Sequence, residues 1–380
     1  MKKKIIILTT FYFPHFGGAE VAAQELFKRF PEKEFDLEIV TTRFSKNEKS
    51  NEIINGLKVV RLGSGNGSQR VNRIKYPLRA RKYVIMNKPD AIFCIMANEA
   101  LIAANLISWT KKIPTFLTIQ EGYTEKEIRE KTGKFYGIYN KMYQKSFFYQ
   151  CISNDLLKRT INRNVPKKQT TLIPNGVNLN KFTPEKLESK KKEEIRKKFN
   201  LSNRDKVIIT TSRLAYKNAI DEVIFALDYL PNNYKFLILG IGELEKELKI
   251  LVKEKKLENR VIFAGVIDNK DLPVYLKSSD VFIRASRAEG FGNSFIESMA
   301  CGIPTIGTKI GGIPDFLYHK KTGMIVKLDN PKDIAKQIKS IIEDKILYKK
   351  VSKGGIEEAQ KYSWDDQSIK TQKFILENLK

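Results

Sequence analysis

Two glutamates flank a run of small residues in the segment RAEGFGNSFIESMACGIP, positions 287–304. Glu289 and Glu297 stand eight positions apart, and glycines occupy positions 290 and 292 between them. Glycines before a helix allow backbone amides to approach an anion, which the helix dipole also favours. A carboxylate in the first helical turn can accept hydrogen bonds from a ribose diol, and a carboxylate on the loop can accept them from sugar hydroxyls. Phosphate, ribose and sugar together indicate a nucleotide sugar.

A purely structural interpretation also exists for Glu297. The tetrapeptide SFIE has the pattern of a capping box, with Ser294 as the N-cap and Glu297 at the third helical position. That interpretation leaves Glu289 and the two glycines unexplained. We expect a loop over 289–293, followed by a helix from Ser294 to about Ala300.

The elements that position these residues follow from the rest of the sequence, where short β-branched runs alternate with helical patterns. Continuous apolar strands separated by helices indicate parallel sheets covered on both faces. We therefore predict an α/β fold with two Rossmann-like, doubly wound parallel-sheet domains in tandem. The length of 380 residues suits two domains of ordinary size. Ligands of such folds bind at the carboxyl ends of the strands, and we expect the donor cleft between the two domains.

The domain boundary is predicted in LIPNGVNLNKFTPEKLESKKK, positions 172–192, which combines prolines, asparagines and a glycine with a charged run. We expect an N-terminal domain over 1–175 on the acceptor side and a C-terminal domain over 176–362 that binds the nucleotide sugar. A final helix over 363–380 is expected to pack back on the N-terminal domain.

With these features the sequence resembles glycosyltransferase family 4, whose members have the two-domain GT-B architecture. The resemblance covers nearly the whole chain and rests on the E-x7-E motif with its glycines, followed by a glycine pair in GGIPDFLYHKKTGMIV. In that family the first glutamate contacts the donor sugar, the second holds the ribose, and the amides between them hold the diphosphate. The resemblance therefore implies that Glu289 contacts the donor sugar and that Glu297 holds the ribose. It implies the diphosphate role for the loop residues Gly290, Phe291, Gly292, Asn293 and Ser294.

A pair of cations follows a predicted strand in TTSRLAYKN, positions 210–218. Arg213 and Lys217 are four positions apart, so a turn could bring both onto one anion. From the residues alone, two solvated surface cations are the simpler interpretation, whereas the resemblance implies a clamp on the donor diphosphate. Two fixed cations would stabilise the negative charge that develops on the leaving nucleoside diphosphate. Together with Glu289 they form the expected catalytic set.

Two more glycine pairs follow predicted strands. Gly17 and Gly18, in FGGAE, resemble the N-terminal glycine loop of the family, which faces the diphosphate, and the following Glu20 can orient that loop. Gly240 and Gly242, in LGIGELE, resemble the family loop beside the nucleotide base. As a dinucleotide-binding fingerprint the second pair is incomplete, because its third glycine is missing.

The sequence departs from the family pattern after the fifth predicted strand. Many members have a histidine there, whereas FLTIQEGY has Gln120 and Glu121, which we expect on the acceptor or sugar side. Glutamine can only form hydrogen bonds, so either Glu121 takes the acceptor proton or the leaving phosphate does. The resemblance implies retention of anomeric configuration, and same-face attack assisted by the leaving phosphate fits a site without an evident nucleophile.

No metal or other cofactor is expected besides a UDP- or GDP-linked sugar as co-substrate. His15 and His319 are the only histidines and no D-x-D sequence occurs, so the cation pair would take the place of a metal ion. The three cysteines form no CxxC pattern, which predicts a reducing, cytoplasmic location. The apolar segment 91–109 contains two asparagines and a glutamate, which are costly in lipid, so we interpret it as a strand and a helix.

The net charge of +26 implies an anionic partner, unless it reflects a lysine-rich proteome. Two basic, aromatic stretches, 69–86 and 131–150, could place an apolar face in a bilayer while their cations meet anionic headgroups. The alternative is that their aromatic residues belong to the core. The resemblance favours the membrane, because many family members extend lipid-linked glycans from the cytoplasmic face. We expect peripheral association with an anionic membrane and a lipid-linked glycan or polysaccharide precursor as the acceptor.

The residues that define these two stretches are Arg70, Arg73, Lys75, Arg79, Arg81 and Lys82 in the first, and Phe135, Tyr136, Tyr139, Met142, Tyr143, Phe147 and Phe148 in the second.

The expected activity is therefore the retaining, metal-independent transfer of a hexosyl group from a UDP- or GDP-sugar. Two other classes stay open at this point. A nucleotide-sugar epimerase or hydrolase could use the same architecture. A nucleic-acid-binding protein would explain the charge, but no zinc finger, basic zipper or RNA-binding aromatic signature is visible, so no nucleic acid is expected as a partner.

Overall fold

The computed structural model describes residues 2–143, 147–185 and 187–379. The chain forms two compact units, one made of Met1–Gly176 together with Trp364–Lys380 and the other of Val177–Ser363. The final segment thus belongs to the first unit, although it follows the second in sequence. No helix within the described ranges is both long and apolar enough to cross a bilayer.

In chain order, the strands of the described residues are β1 (Lys3–Leu8), β2 (Phe35–Thr42), β3 (Asn51–Ile54), β4 (Leu57–Leu62), β5 (Ala91–Ile95), β6 (Thr115–Ile119), β7 (Phe148–Cys151), β8 (Thr170–Leu172), β9 (Lys206–Thr211), β10 (Tyr234–Leu239), β11 (Val261–Gly265), β12 (Val281–Arg284), β13 (Thr305–Thr308) and β14 (Met324–Val326). The α-helices are α1 (Gly18–Phe27), α2 (Gln69–Asn87), α3 (Glu99–Ser108), α4 (Glu125–Thr132), α5 (Tyr136–Tyr143), α6 (Asn154–Asn162), α7 (Ser189–Lys198), α8 (Ile220–Ala226), α9 (Glu245–Glu254), α10 (Leu272–Lys277), α11 (Asn293–Ala300), α12 (Pro331–Glu343), α13 (Lys345–Ala359) and α14 (Trp364–Glu377).

The first unit is built on one sheet with the strand order β3-β4-β2-β1-β5-β6-β7-β8. In its central strand β1, Ile5, Ile6 and Ile7 are all fully buried, as expected for a strand covered by helices on both faces. The apolar segment 91–109 forms β5 and α3, which agrees with the strand and helix predicted for it.

Helix α14 packs on α1 within this unit. The Ser368 hydroxyl donates a hydrogen bond of 3.1 Å to the Leu26 carbonyl, and Arg29 forms an ion pair of 2.8 Å with Asp365. The C-terminal helix therefore completes the helical layer over the first sheet.

One edge of the first sheet differs from the predicted parallel arrangement. Strand β3 pairs antiparallel with β4, with Ile54 opposite Leu57. The turn between them is Asn55-Gly56, and both residues have positive φ, 48° and 85°. An Asn-Gly pair with this geometry is typical of a tight β-hairpin, and the sequence prediction missed it.

The second unit is built on an all-parallel sheet with the order β11-β10-β9-β12-β13-β14. Strand β9 lies between β10 and β12, so the chain winds in opposite directions on the two sides of the β9/β12 pair. In open α/β sheets, ligands bind at the carboxyl ends of the strands at such a switch point. The loops after β9 and β12 are therefore where a ligand of this unit is expected.

Candidate active site

The predicted site residues divide between the two units. Gly17, Gly18, Gln120 and Glu121 lie in the first unit, and the glycine-rich motif, the cation pair and the second glycine pair lie in the second.

The motif loop connects β12 to α11, and the helix begins one residue earlier than predicted. Gly292 is the N-cap, with φ of 105°, and Asn293 is the first helical residue. A Cβ atom on Gly292 would approach Phe295 to 2.8 Å, so both conformation and space require glycine. The alternative interpretation of Ser294 and Glu297 as a capping box therefore does not hold, because Ser294 already lies inside the helix. Glu297 needs an explanation other than capping.

Glu289 is held at the carboxyl edge of the sheet with 9% of its surface exposed. Its Oε1 accepts a 3.0 Å hydrogen bond from the Gly290 amide, and its other oxygen forms an ion pair with the Arg284 guanidinium. Its backbone carbonyl lies against Gly311, where φ is 56° and any Cβ atom would overlap that carbonyl oxygen. The glycine pair that follows the motif in sequence thus lets the chain close over the Glu289 backbone.

Arg284, the last residue of β12, is a residue that sequence analysis missed. Its guanidinium donates to the Ser294 hydroxyl at 2.8 Å and to the Ser286 hydroxyl at 3.2 Å, besides its ion pair with Glu289. Burial lowers the pKa of Arg284 to about 10, and the nearby charge of Glu297 opposes that shift. The guanidinium therefore stays charged at neutral pH and links both glutamates of the motif electrostatically. The available signal was an arginine that ends the otherwise apolar strand VFIR.

The cation pair lies on the loop after β9. The Arg213 side chain is 73% exposed and forms a 3.1 Å ion pair with Glu243. Lys217 lies in a single 3₁₀ turn, Tyr216–Asn218, and its carbonyl accepts a 2.7 Å hydrogen bond from the Arg287 amide. That bond connects the β9 loop directly to the motif loop after β12. The structure thus brings the loop of the cation pair beside the motif loop, and it orients Arg213 towards Glu243.

Arg287, a second residue that sequence analysis missed, reinforces this connection. Its guanidinium forms ion pairs with Asp221 at 2.8 Å and with Asp329 at 2.7 Å, and donates to the Tyr216 carbonyl at 3.0 Å. Burial alone would lower the pKa of Arg287, but the hydrogen bonds and charges of Asp221 and Asp329 outweigh burial and raise it. Arg287 is therefore a permanently charged connection between the two loops.

Gly240 and Gly242 have a packing role that the sequence did not reveal. A Cβ atom on Gly240, whose φ is 136°, would overlap the Ser212 carbonyl oxygen, and one on Gly242 would overlap the Leu214 backbone. The Leu214 amide donates to the Ile241 carbonyl at 3.0 Å, so the two loops are hydrogen-bonded backbone to backbone. These glycines allow the close approach that holds the Arg213 segment in place.

The Phe291 side chain is part of a buried aromatic cluster. It is buried against Phe316 and Tyr362, with ring centroids 5.4 Å apart in each pair. Any contribution of Phe291 to donor binding must therefore come from its backbone amide.

In the first unit, Gly17 and Gly18 open α1 at the switch point beside β1. The Gly17 amide donates a 2.7 Å hydrogen bond to the Glu20 carboxylate, which agrees with an orienting role for Glu20. Burial raises the pKa of that carboxyl group, and the bond from Gly17 opposes the shift. A Cβ atom on Gly18 would meet nothing within 4 Å. The role of these two glycines in donor binding stays a prediction.

Gln120 and Glu121 follow β6 and are both engaged with the protein. Gln120 donates to the Thr118 hydroxyl at 3.2 Å, and its carbonyl oxygen accepts from Asn175 at 3.4 Å. The buried Glu121 carboxylate accepts a hydrogen bond from the Ala97 amide. Burial raises the pKa of Glu121, and the Ala97 hydrogen bond opposes that change. Glu121 therefore anchors the loop after β5.

Neither histidine forms part of a metal centre among the described residues. His15 lies 2.8 Å from a Glu48 oxygen, and the His319 Nδ1 accepts a 3.0 Å hydrogen bond from the Ile325 amide. In the part of the chain that the structure describes, no three His, Cys, Asp or Glu side chains are grouped as metal ligands would be.

Comparison with known proteins identifies both halves of the chain. The family model described as Glycosyltransferase Family 4 matches residues 16–181, and the model described as Glycosyl transferases group 1 matches residues 191–358. Together these two matches account for most of the chain, and each falls mainly within one of the two structural units.

Two relatives match parts of the chain. N-acetyl-alpha-D-glucosaminyl L-malate synthase of Bacillus anthracis is 31% identical over 158 residues, 41% of this chain and 41% of that protein. One component of the phosphatidylinositol N-acetylglucosaminyltransferase of Homo sapiens is 23% identical over 334 residues, 82% of this chain and 63% of that protein. This chain thus spans less than two thirds of the length of either relative.

The fold agrees with a solved structure over nearly its whole length. Anabaena HepE, in complex with UDP and glucose, superposes with a TM-score of 0.83 over 99% of this chain and 100% of HepE, at 18% identity. This likeness confirms the predicted fold of two doubly wound α/β domains. Since the two family models match both units and the fold is GT-B, the chain belongs to glycosyltransferase family 4.

Proposed function

We propose that this family member is a retaining, metal-independent glycosyltransferase that moves a hexosyl group from a UDP- or GDP-sugar to an acceptor. The observation that carries the proposal is the fixed Glu289–Arg284 pair on the motif loop, at the switch point of the second sheet. A buried carboxylate at such an edge suits the recognition of sugar hydroxyls, which are neutral donors. The loop with Arg213 and Lys217 lies beside it and supplies cations for a diphosphate.

The start of α11 suits a diphosphate in this proposal. Among the described residues no side chain caps Gly292, so the first-turn amides of the helix are not occupied by a capping oxygen. Amides at a helix N-terminus point outward and favour negative charge. We assign the diphosphate to the amides of 291–294, because the Gly290 amide already donates to Glu289. The ribose is assigned to Glu297 and the sugar to Glu289.

Arg213 and Lys217 are assigned to the leaving diphosphate. An exposed ion pair such as that between Arg213 and Glu243 contributes little in water, so it can be exchanged for a phosphate contact at small cost. Positive groups aimed at developing charge lower the barrier more than they strengthen ground-state binding. No metal ion is required for this step.

The leaving phosphate, rather than Glu121, is assigned the acceptor proton. The Glu121 carboxylate is buried and already accepts the Ala97 amide, so it is poorly placed to serve as a base. In the proposed step the acceptor oxygen attacks the anomeric carbon from the face that the diphosphate leaves. The acceptor hydroxyl gives its proton to a phosphate oxygen, and configuration is retained.

An exposed apolar surface on α2 supports a membrane-associated acceptor. Ile74 and Leu78 are 67% and 65% exposed, and with Val71 they follow helical spacing along one side of the helix. Arg70, Lys75, and Lys82 are exposed around them. We define the α2 face by these six residues, Arg70, Val71, Ile74, Lys75, Leu78 and Lys82.

The other cations of the first stretch form contacts with residues of the same unit. Arg73 forms an ion pair of 2.6 Å with Glu99, Arg79 donates to Asn72 at 3.4 Å, and Arg81 donates to the Leu106 carbonyl at 3.2 Å. The helix continues through Pro77, which is buried within it. Half of the predicted cations therefore belong to internal contacts.

The second stretch divides between core and surface. Tyr143 and Phe147 are buried and Phe148 starts a strand, so these three residues follow the alternative in which the aromatic side chains belong to the core. Phe135 and Ile138 are exposed, while residues 144–146 of this stretch lie outside the described residues. We therefore place the proposed membrane contact on the α2 face. The human relative, named for phosphatidylinositol, supports an acceptor with a lipid part.

A donor panel tests the proposal. UDP- and GDP-sugars are incubated with lipid-linked acceptors, and both nucleoside diphosphate release and the glycosylated product are measured, with and without EDTA. We expect acceptor-dependent release, an α-linked product from an α-linked donor and no effect of EDTA. Release without an acceptor product would favour a hydrolase, and an epimerised donor would favour an epimerase. Loss of activity to EDTA, restored by Mn²⁺, would contradict the metal-free step.

A further inference from the structure

The first unit contains a cavity of about 360 Å³ that the proposed transfer does not use. It lies among α4, α5 and α6, and its volume is within the range of small-ligand sites, roughly 300–1,000 Å³. The residues that line it are Glu125, Arg129, Tyr136, Asn140, Arg159, Asn162, Arg163 and Asn164.

The lining of this cavity is rich in hydrogen-bond donors and positive charge. Three guanidinium groups and three carboxamides surround a single carboxylate, that of Glu125. Glu125 accepts hydrogen bonds from the Tyr136 hydroxyl and, at 2.6 Å, from Arg163. Burial would raise the pKa of Glu125, but Tyr136 and Arg163 outweigh it and lower the pKa. The environment thus already stabilises one negatively charged group.

Two of the arginines are fixed by the protein. The Arg163 side chain is 8% exposed and lies over the Tyr143 ring, 4.7 Å from its centroid. Arg159 forms an ion pair with Asp155 and donates to the Tyr123 carbonyl at 2.6 Å. Both guanidinium groups are therefore held in place at the cavity, as a preorganised anion site requires.

Arg129 is the most adaptable of the three arginines. Its guanidinium lies over the Tyr136 ring, 4.3 Å from the centroid. Within the described residues it forms no ion pair, although its charge acts on Glu125. It can therefore turn towards an incoming anion without breaking an existing ion pair.

We propose that this cavity binds a phosphate or diphosphate group. Guanidinium groups match phosphate oxygens with paired hydrogen bonds, and the three of them exceed by one the two carboxylates that pair with them, Glu125 and Asp155. Asparagine amides at the rim can donate to the remaining oxygens. The inference goes beyond the proposed transfer, since neither the donor site nor the reaction step requires this cavity.

The surroundings favour the headgroup of an amphiphile as the source of the phosphate. Phe135 and Ile138, each 59% exposed, flank Tyr136 in sequence on the same segment. Exposed apolar side chains beside a cationic cavity suit a ligand with a charged head and a hydrocarbon part. A free phosphorylated compound shares the phosphate chemistry but does not use these side chains.

Calorimetry with inorganic pyrophosphate tests the site in the full chain. The parent protein carries Arg213→Ala and Lys217→Ala, which weakens pyrophosphate binding at the proposed donor site. Whatever binding remains there is common to all the variants compared. Adding Arg129→Gln and Arg159→Gln should weaken pyrophosphate binding about tenfold or more, because charged hydrogen bonds are lost. Adding Arg204→Gln, an exposed arginine of the second unit, should leave the affinity within about twofold, since only long-range charge is lost. Arg129→Gln alone serves as a second variant if the pair unfolds the protein.

No pyrophosphate binding by the parent, or equal affinity with and without the cavity substitutions, would overturn the inference. A second measurement identifies the source by sedimentation with phosphatidylcholine vesicles that contain either phosphatidic acid or phosphatidylglycerol. If the phosphate belongs to an amphiphile headgroup, the protein should prefer vesicles that contain phosphatidic acid. The Arg129→Gln/Arg159→Gln variant should lose this preference, and free pyrophosphate should abolish it by competition. If the ligand is a free phosphorylated compound, the substitutions should still weaken pyrophosphate binding in calorimetry, but the protein should show no preference for phosphatidic acid vesicles. Neither measurement involves sugar transfer, so failure of the proposed function would be seen separately.

Discussion

At the scale of single residues, the two glutamates of the motif differ in their contacts and in the roles proposed for them. Both oxygens of Glu289 have partners, Gly290 and Arg284, so the carboxylate is oriented before a donor arrives. Glu297 is on the helix, outside any capping arrangement, and acts on Arg284 through its charge. Substitutions at these positions should therefore separate catalysis from nucleotide binding.

Glu289→Gln should reduce transfer on the order of 10²-fold or more, because an oriented charge at the sugar is lost. The affinity for the nucleoside diphosphate should change little, since the proposal assigns that part of the donor to the loop amides. Turnover and calorimetric nucleotide binding are measured on the same preparation. A parallel fall of both would show that Glu289 contacts the nucleotide instead.

Glu297→Ala should weaken nucleotide binding by about 1–3 kcal/mol through the loss of charged hydrogen bonds to the ribose. Glu254→Ala, an exposed glutamate of α9, is the matched control and should leave binding unchanged. The affinity for UDP or GDP, whichever the donor panel selects, provides the measurement. If only the melting temperature falls, Glu297 has a structural role.

Arg284→Met should destabilise the second unit by about 3–5 kcal/mol, because Glu289 would be left as a buried charge without its partner. The double variant Arg284→Met/Glu289→Gln should recover a large part of that loss, since neither charge remains, while transfer stays impaired. Urea unfolding of the four proteins of this cycle gives the coupling energy. Additive effects on stability would mean that the two side chains act independently.

At the scale of elements, the active-site loops depend on close backbone contacts. The Gly240–Gly242 segment lies on the backbone of Ser212–Leu214, and Arg287 connects the β9 loop to the motif loop. These contacts mean that the position of Arg213 depends on Gly240, Gly242 and Arg287.

Gly242→Ala should lower turnover on the order of 10²-fold, because the new methyl group would push the Leu214 backbone and displace Arg213. Gly137→Ala is the control, since a Cβ atom there meets nothing within 4 Å. Initial rates at saturating donor give the comparison. Unchanged turnover of Gly242→Ala would show that the Arg213 loop adapts without cost to catalysis.

At the scale of the whole molecule, a net charge of +26 favours anionic surfaces at long range, and we propose that the α2 face makes the contact with the membrane. Ile74→Glu/Leu78→Glu should abolish binding to phosphatidylglycerol vesicles, because two charges would replace the most exposed apolar side chains of that face. The control variant Ile250→Glu, at an exposed position of α9, should still bind phosphatidylglycerol vesicles. Wild-type binding should weaken as salt is raised, with each basic residue near the surface contributing about 1 kcal/mol.

Vesicle sedimentation at low and high salt measures these differences. Equal, negligible binding of the wild-type chain to neutral and anionic vesicles at low salt would contradict a membrane-associated acceptor. A soluble acceptor would then be the better hypothesis.

Much of the fold was determined by local sequence patterns. Continuous apolar strands such as KIIIL require cover on both faces, and alternation with helices makes them parallel, so the two doubly wound sheets could be predicted. The motif residues Glu289 and Glu297 could be recognised because glycines at fixed offsets imply a backbone that approaches a ligand. The Asn55-Gly56 hairpin also had a local signal, which the interpretation of uniformly parallel strands overlooked.

The tertiary structure alone decided which charged side chains work together. Arg284 and Glu289 are five positions apart with no regular spacing, and Arg287 meets Asp221 and Asp329 across long stretches of chain. It also decided which cations of the basic stretch on α2 form contacts within the protein, such as the ion pair between Arg73 and Glu99. Charge pairing depends on distance and burial after the strands have assembled, and neither quantity is encoded in the local pattern of residues.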